Sequence, residues 1–258
     1  MEKWVSNKYS YKSYKNEAHI NSSSGLYEID LDKELSRIKS LGYIKTMRKG
    51  DTGIGYTLET LLGLKETNKR GIGDISYKGI PTELKSQRKK TSSMMTLFTL
   101  EAEKGLNKDR IMIEKYGYKD TMGRDGLKVT LNTSHYVPQN LKLNINKEKD
   151  MIEIIDKDKN VLWYWNFNKL EVKIGSLAII FADTKGSGEN EQFHFNEAYY
   201  YNELDRNKLF DMFEDSLFVV DLRMHLRSNN TVRNHGTAFR LKGISNLDHC
   251  YNKIKKII

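Results

Sequence analysis

Apolar positions between residues 26 and 42 recur at helical spacing. Leu35, Ile38 and Leu41 form one stripe, Asp30 or Asp32 can cap its start, and Gly42 can end it. A glycine-punctuated stretch follows, Gly50-Asp-Thr-Gly-Ile-Gly55, and then a second expected helix over 56–64 that carries Glu59. The period then shortens toward two. Residues 72–100 read as a β-meander of segments 72–77, 82–87 and 94–100, with a turn at Lys78-Gly79. The region 101–117 reads as helical.

From about residue 127 the pattern is mostly β. Segments 141–146, 151–155 and 161–167 alternate between charged turns, and 174–182 is a near-continuous apolar run, as in a strand buried on both faces. A short strand is expected at 193–195 and a helix at 205–214 with Leu209, Phe210 and Phe213 inward. Strands at 217–226 and 237–241 flank a polar loop, Arg227–His235, and a closing helix is expected at 247–257. No internal repeat is visible. The coarse division is residues 1–130 and 131–258, with strands shared across it.

One constellation on this scaffold carries chemistry. In Asp74-Ile-Ser-Tyr-Lys-Gly-Ile-Pro-Thr-Glu83-Leu-Lys85, strand alternation puts Glu83 and Lys85 on one face and Leu84 on the other. A hairpin around Gly79 can return Asp74 to Glu83. Two carboxylates beside an ammonium are what metal-assisted phosphodiester hydrolysis needs: oxygen ligands for Mg²⁺ from Asp74 and Glu83, and a cation at the attacking water. Glu59 can support them. Glu-X-Lys alone is a common tripeptide, so the grouping matters more than the tripeptide.

Composition narrows the classes. The 258 residues include 43 Lys+Arg against 34 Asp+Glu, a formal net charge of +9, with 38% hydrophobic positions and two prolines, which fits a folded chain of basic character. Basic residues cluster at 45–90 and 223–258, and an acidic stretch separates them at 187–222. That layout suits distant segments converging on a polyanion. No apolar run approaches a membrane span, and the charged N-terminus does not read as a signal peptide. The single Cys250 disfavours disulfides and cysteine-held zinc, so a reducing cytoplasm, in a bacterial cell, is expected. His225 and His235 lack a third ligand at metal spacing. The glycines at 50–55 lack the Gly-Lys-Ser/Thr of a nucleotide-binding loop. Trp163-Tyr-Trp165 can stack bases or fill core.

Taken together, Gly50–Gly63, Asp74…Glu83-Leu-Lys85-Ser and Met95-Thr-Leu-Phe-Thr99 resemble the catalytic core shared by the mismatch-repair nickase MutH and the monomeric MvaI/BcnI-type restriction endonucleases. Val220-Asp-Leu-Arg223 and His235-Gly-Thr-Ala-Phe-Arg240 resemble the DNA-reading segment of the latter. The Asp74–Glu83 hairpin is longer than the family pattern. The resemblance implies an α/β fold of the PD-(D/E)XK type with a catalytic lobe and a mostly β recognition lobe. It implies a type II restriction endonuclease that acts as a monomer on double-stranded DNA, nicking each strand in turn at a short pseudo-symmetric site with CC/GG outer pairs. Mg²⁺ would sit at Asp74 and Glu83, with Lys85 and Glu59 beside it. Asp221, Arg223, His235 and Arg240 would read base edges, with possible help from Asn229, Asn230 and Arg233 in the neighbouring loop. Arg88, Lys89 and Lys90 would hold phosphate. A cognate DNA methyltransferase would be the functional, not physical, partner. The rivals are a MutH-like nickase and a DNA-binding module without catalysis.

Overall fold

The computed structural model describes residues 25–64, 73–91, 94–104 and 109–258. The N-terminal reading and Ile72 lie outside them. Contacts divide the chain into two compact units, each assembled from separate stretches. The first comprises residues 1–90, 178–199 and 256–258, and the second comprises 91–177 and 200–255. The boundary expected near residue 130 therefore falls inside the second unit.

In the first unit the helix Leu31–Ser40 forms where its periodicity predicts, but Leu41, expected in its apolar stripe, lies past its end and is exposed. Asp30 accepts the Lys33 N–H at 3.1 Å, Leu31, Leu35 and Ile38 are fully buried, and Gly42 ends the turn at φ +69°. The second helix, Gly53–Leu61, starts three residues earlier than expected. Gly53 is packed so closely that a Cβ would stand 2.4 Å from the Arg48 carbonyl, and Thr57 Oγ1 bonds back to the Gly53 carbonyl at 2.7 Å. The glycine stretch is thus divided, with residues 50–52 in the turn before the helix and residues 53–55 in its first turn.

The hairpin Ile75–Tyr77 to Ile80–Arg88 turns through Lys78 and Gly79, both at positive φ, the pairing that suits a two-residue hairpin loop. The expected meander ends there. The other neighbour of Ile80–Arg88 is Ser176–Lys185, in a sheet that continues to Gln192–Leu204 and Ile44–Lys45. Met95–Thr99 instead pairs with Ala238–Leu241 in the second unit. Local alternation predicts a strand but not its partner.

The second unit holds a four-stranded sheet and a six-stranded sheet. The four-stranded one is the expected meander of Leu141–Asn146, Met151–Asp156 and Val161–Asn166, joined by Glu103–Lys104. The six-stranded one runs Met95–Thr99, Ala238–Leu241, Phe218–Leu226, Asp125–Leu131 and Tyr118–Lys119, with Val232–Asn234 also on Phe218–Leu226. Trp165 stands edge-on to Phe239 at 5.3 Å between centroids, and its indole N–H reaches the Leu100 carbonyl at 3.0 Å. Trp163 and Trp165 are therefore core, not a base-stacking platform.

Several elements differ from expectation. The 101–117 region holds the strand Glu103–Lys104 and the helix Asp109–Tyr116. A helix at Phe167–Ile174, capped by Asn166 and ended by Gly175, precedes the buried strand. The 193–195 strand extends over Gln192–Leu204. The closing helix is a 3₁₀ turn, Ile244–His249, followed by a strand, Tyr251–Lys256, paired with Gln192–Leu204. The lysines on that last strand are exposed and hide its alternation.

Candidate functional site

Asp74 is delivered to Glu83 by backbone geometry. The Asp74 N–H donates to the Thr82 carbonyl at 2.9 Å, and the Asp74 carboxylate Oδ2 accepts the Leu84 N–H at 2.8 Å. Gly73, at φ +79°, permits that approach, since a Cβ there would lie 2.7 Å from the Thr82 nitrogen. Glu83 is partly buried and its Oε1 accepts from Lys85 Nζ at 2.6 Å, both side chains on one face of the strand. Asp74, Glu83 and Lys85, predicted to meet, are brought together.

Glu59 sits on the helix Gly53–Leu61, and a Cβ built on Gly55 of that helix would lie 3.9 Å from Glu59 Oε1 and 3.7 Å from Ser86 Oγ, next to the strand that carries Glu83 and Lys85. Among the described residues no three His, Cys, Asp or Glu side chains gather as a ready metal cage. Asp74 and Glu83 nonetheless offer a purely oxygen donor set, which fits a small hard cation that keeps most of its waters.

The expected phosphate contacts are differently committed. The Arg88 fork closes on Glu191, at 2.6 and 2.7 Å, and those bonds hold the guanidinium above its ordinary value against burial. Lys89 pairs with Glu197 at 2.7 Å. Lys90 is exposed and has no ion pair among the described residues.

In the second unit the expected base readers share one sheet face. Asp221 and Arg223 lie two residues apart on Phe218–Leu226. Ladder registers set Asp221 opposite Thr130 and Ala238, Arg223 opposite Lys128, and Arg240 opposite Val219 and Thr96. The other face carries Val220, Leu222, Met224, Phe239 and Leu241 into the core. Period-two alternation therefore sorts Asp221, Arg223 and Arg240 from the core.

Asp221 is the hub of that face and is nearly fully buried. Its Oδ1 accepts from Thr130 Oγ1 at 2.6 Å, and its Oδ2 accepts from Arg223 at 2.7 Å and Arg240 at 2.9 Å. Burial pushes the carboxyl up, but the bonds from Thr130, Arg223 and Arg240 outweigh it and hold it below the usual range. Arg240 is fixed further by donating to the Met94 carbonyl at 2.9 Å. His235 is exposed and hangs beyond Val232–Asn234, its backbone N–H bonded to the Arg223 carbonyl at 2.9 Å. In the loop before it, the Asn229 side chain accepts from Thr231 and so shapes a turn. Thr130 and Lys128 were missed by the sequence reading. Their alternation within Asp125–Leu131 is visible, but nothing in the sequence says that this strand lies beside Asp221.

The family of MvaI and BcnI restriction endonucleases matches residues 32–251, nearly the whole described chain and both sets of residues above. The chain belongs to the MvaI/BcnI restriction endonuclease family. It is a site-specific deoxyribonuclease on the restriction-endonuclease-like fold. A solved complex of restriction endonuclease MvaI with its cognate DNA substrate is 26% identical, with a TM-score of 0.73 over 88% of this chain and 97% of MvaI. MvaI solved without DNA is 24% identical, with a TM-score of 0.53 over 88% and 96%. Comparison with curated protein sequences gives no match. No helix among the described residues is long and apolar enough to cross a membrane.

Proposed function

We propose that this type II restriction endonuclease hydrolyses double-stranded DNA with Mg²⁺, at a short pseudo-symmetric site with CC/GG outer pairs. It acts as a monomer that nicks one strand and then the other. The carrying observation is the contact between Lys85 and Glu83 beside the backbone-anchored carboxylate of Asp74. Bound there, Mg²⁺ would supply a polarised phosphate and a more acidic water.

The chain's own residues do the rest. Asp74 and Glu83 offer oxygens, and the Leu84 N–H and Lys85 ammonium keep those oxygens aimed. Lys85 can donate to the attacking water and stabilise charge developing on the phosphorane oxygens. Glu59 serves from further out, through the neighbourhood of Ser86. In the second unit Arg223 and Arg240 present forks suited to guanine O6 and N7. The similarity to MvaI solved with its cognate DNA supports DNA as the partner of this chain. The enzyme would work in the bacterial cytoplasm, its host DNA protected by a cognate methyltransferase.

Plasmid cleavage with Lys85→Ala tests the reading. The variant should lose cutting while still shifting DNA in Ca²⁺, because affinity comes mainly from phosphate and base contacts elsewhere. Cutting at near wild-type rate would overturn the site. Wild type should pass a one-site plasmid through a nicked intermediate.

A further inference from the structure

The reading face does not stop at Arg223. His225 lies two residues further on the same strand and so on the same face. Its ladder partners are Gly126 on one side and Arg233 on the other. At Gly126 the strands pack closely, since a Cβ there would stand 3.2 Å from the Met224 carbonyl oxygen and 3.4 Å from His225 Cβ. The His235 ring lies 5.6 Å away, centroid to centroid.

Arg124 completes the group from the turn between Tyr118–Lys119 and Asp125–Leu131. Asp120 aims it, taking Arg124 Nε at 2.9 Å and Nη2 at 2.7 Å while accepting the Met122 and Arg124 backbone N–H groups. The remaining Arg124 nitrogen, Nη1, lies 3.3 Å from His225 Nε2. A guanidinium only donates, so Nε2 accepts and the free ring keeps its proton on Nδ1. Two hollows of about 710 and 620 Å³ both border Arg124, His225 and Arg233.

Charge around these hollows is one-sided. Asp120 is taken by Arg124, and Asp125 by Lys119 at 2.8 Å. Lys128, Arg227 and Arg233 have no carboxylate partner among the described residues. Such a surface lacks an anion, and a fork from Arg124 with another from Arg233 suits the two free oxygens of a phosphodiester.

We propose that Arg124, His225 and Arg233 form a phosphate site for the DNA backbone beyond the base-reading groups Arg223, Arg240 and His235, which takes Arg233 from the bases to the backbone, and that filling it draws a proton onto His225. This rests on the duplex-DNA reading above. The groups facing the two rings are Arg124 and Asp120 from the turn, Arg223 and Arg227 from the strand and its end, and Arg233 opposite. Burial first, and then the cations around them (Arg124 foremost for His225, Arg233 for His235), hold both imidazoles below their ordinary value. Both rings therefore favour the neutral form in the free protein more than an ordinary imidazole does. A phosphate that takes the Arg124 Nη1–H frees His225 Nε2 and cancels that repulsion, so Nε2 takes up a proton and donates to the phosphate in the complex. Binding then tightens as pH falls, by at most about tenfold per pH unit for one proton taken up.

The test is anisotropy titration of a labelled duplex carrying the cleavage site and an equal-length duplex lacking it. Ca²⁺ replaces Mg²⁺, and titrations span roughly 50–200 mM salt and about pH 6 to 8.5. Exposed Arg233→Gln should weaken both duplexes to the same degree and reduce the salt slope by about 0.9. His225→Asn should do likewise near pH 6 and flatten the pH dependence. An unchanged salt slope in Arg233→Gln, or His225→Asn weakening only the cognate duplex, would overturn the phosphate site. A wild-type affinity that ignores pH would overturn the proton uptake. Wild type binding neither duplex would instead sink the DNA reading on which the site rests.

Discussion

Arg240 donates from Nη1 to Asp221 Oδ2 at 2.9 Å, although the two residues stand on neighbouring strands and are not ladder partners. Arg223 shares the same oxygen at 2.7 Å, and Thr130 takes the other. A carboxylate so occupied is poorly placed to accept from a cytosine amino group, the direct role its chemistry first suggests. The geometry favours action through the two arginines, whose forks it aims. Asp221→Asn keeps the shape and removes the charge. Discrimination between cognate and non-cognate duplex should fall about tenfold, near 1.4 kcal/mol, and urea unfolding should show a loss of about 1–3 kcal/mol. Unchanged discrimination in a folded Asp221→Asn protein would show that it does not aim them.

Asp74 and Glu59 differ in how they are held, and that ranks them. The Asp74 carboxylate is bonded to the backbone of the strand that carries Glu83, whereas Glu59 belongs to the separate helix Gly53–Leu61. Asp74→Asn removes one of two anionic oxygens offered to a hard cation, so it should raise the Mg²⁺ concentration for half-maximal cleavage and lower the maximal rate. Glu59→Gln should have the smaller effect. A Mg²⁺ titration in which Glu59→Gln is the more severe change would reverse the ranking.

The legible parts of this protein were those governed by short-range rules. The helix at Leu31–Ser40 was readable because its cap, the Leu35 and Ile38 stripe and its stop agree, and the Lys78-Gly79 turn because glycine takes positive φ freely. The approach of Asp74 to Glu83 followed from that turn. Strand partners were not legible. Met95–Thr99 looks like the third strand of a meander, yet its hydrogen bonds go to a segment about 140 residues later, a choice that depends on which apolar faces meet. The same blindness hid Thr130, Lys128 and the Arg124 turn. The partner of Arg88 was hidden for a related reason, since a basic run reads as solvent-facing until its acidic partner, Glu191, is brought to it by the fold.

The Asp120–Arg124 turn makes a pH prediction with a definite sign. Hydrogen bonds from the Arg124 side chain, then its backbone, lower the Asp120 carboxyl from 3.8 to about 2. A depressed carboxyl contributes stability above its unfolded value and loses it as pH falls through the folded one, here between about 4 and about 2. Carboxyl-detected NMR should place the Asp120 midpoint near the lower figure. Arg124→Gln should return it toward the ordinary range. A wild-type midpoint near 4 would mean that the turn is not held by this pair in solution.

Arg240 and Lys90 should separate sequence reading from plain adhesion to DNA. Arg240 is largely shielded, and its guanidinium is fixed by Asp221 and the Met94 carbonyl, so its direction is set before DNA arrives. A fork held in that way suits bidentate contact with guanine, and its loss typically costs about 1–3 kcal/mol of discrimination. Lys90 is a solvated point charge without an ion pair among the described residues, suited to phosphate alone. Lys90→Ala should weaken cognate and non-cognate duplexes equally and lower the salt slope by about one. Arg240→Ala should weaken the cognate duplex far more than the non-cognate one. Titrations of both duplexes across salt concentrations distinguish the two behaviours. If Arg240→Ala lowers both affinities equally, Arg240 holds backbone rather than base, and the assignment of guanine reading to the Asp221-centred face fails with it.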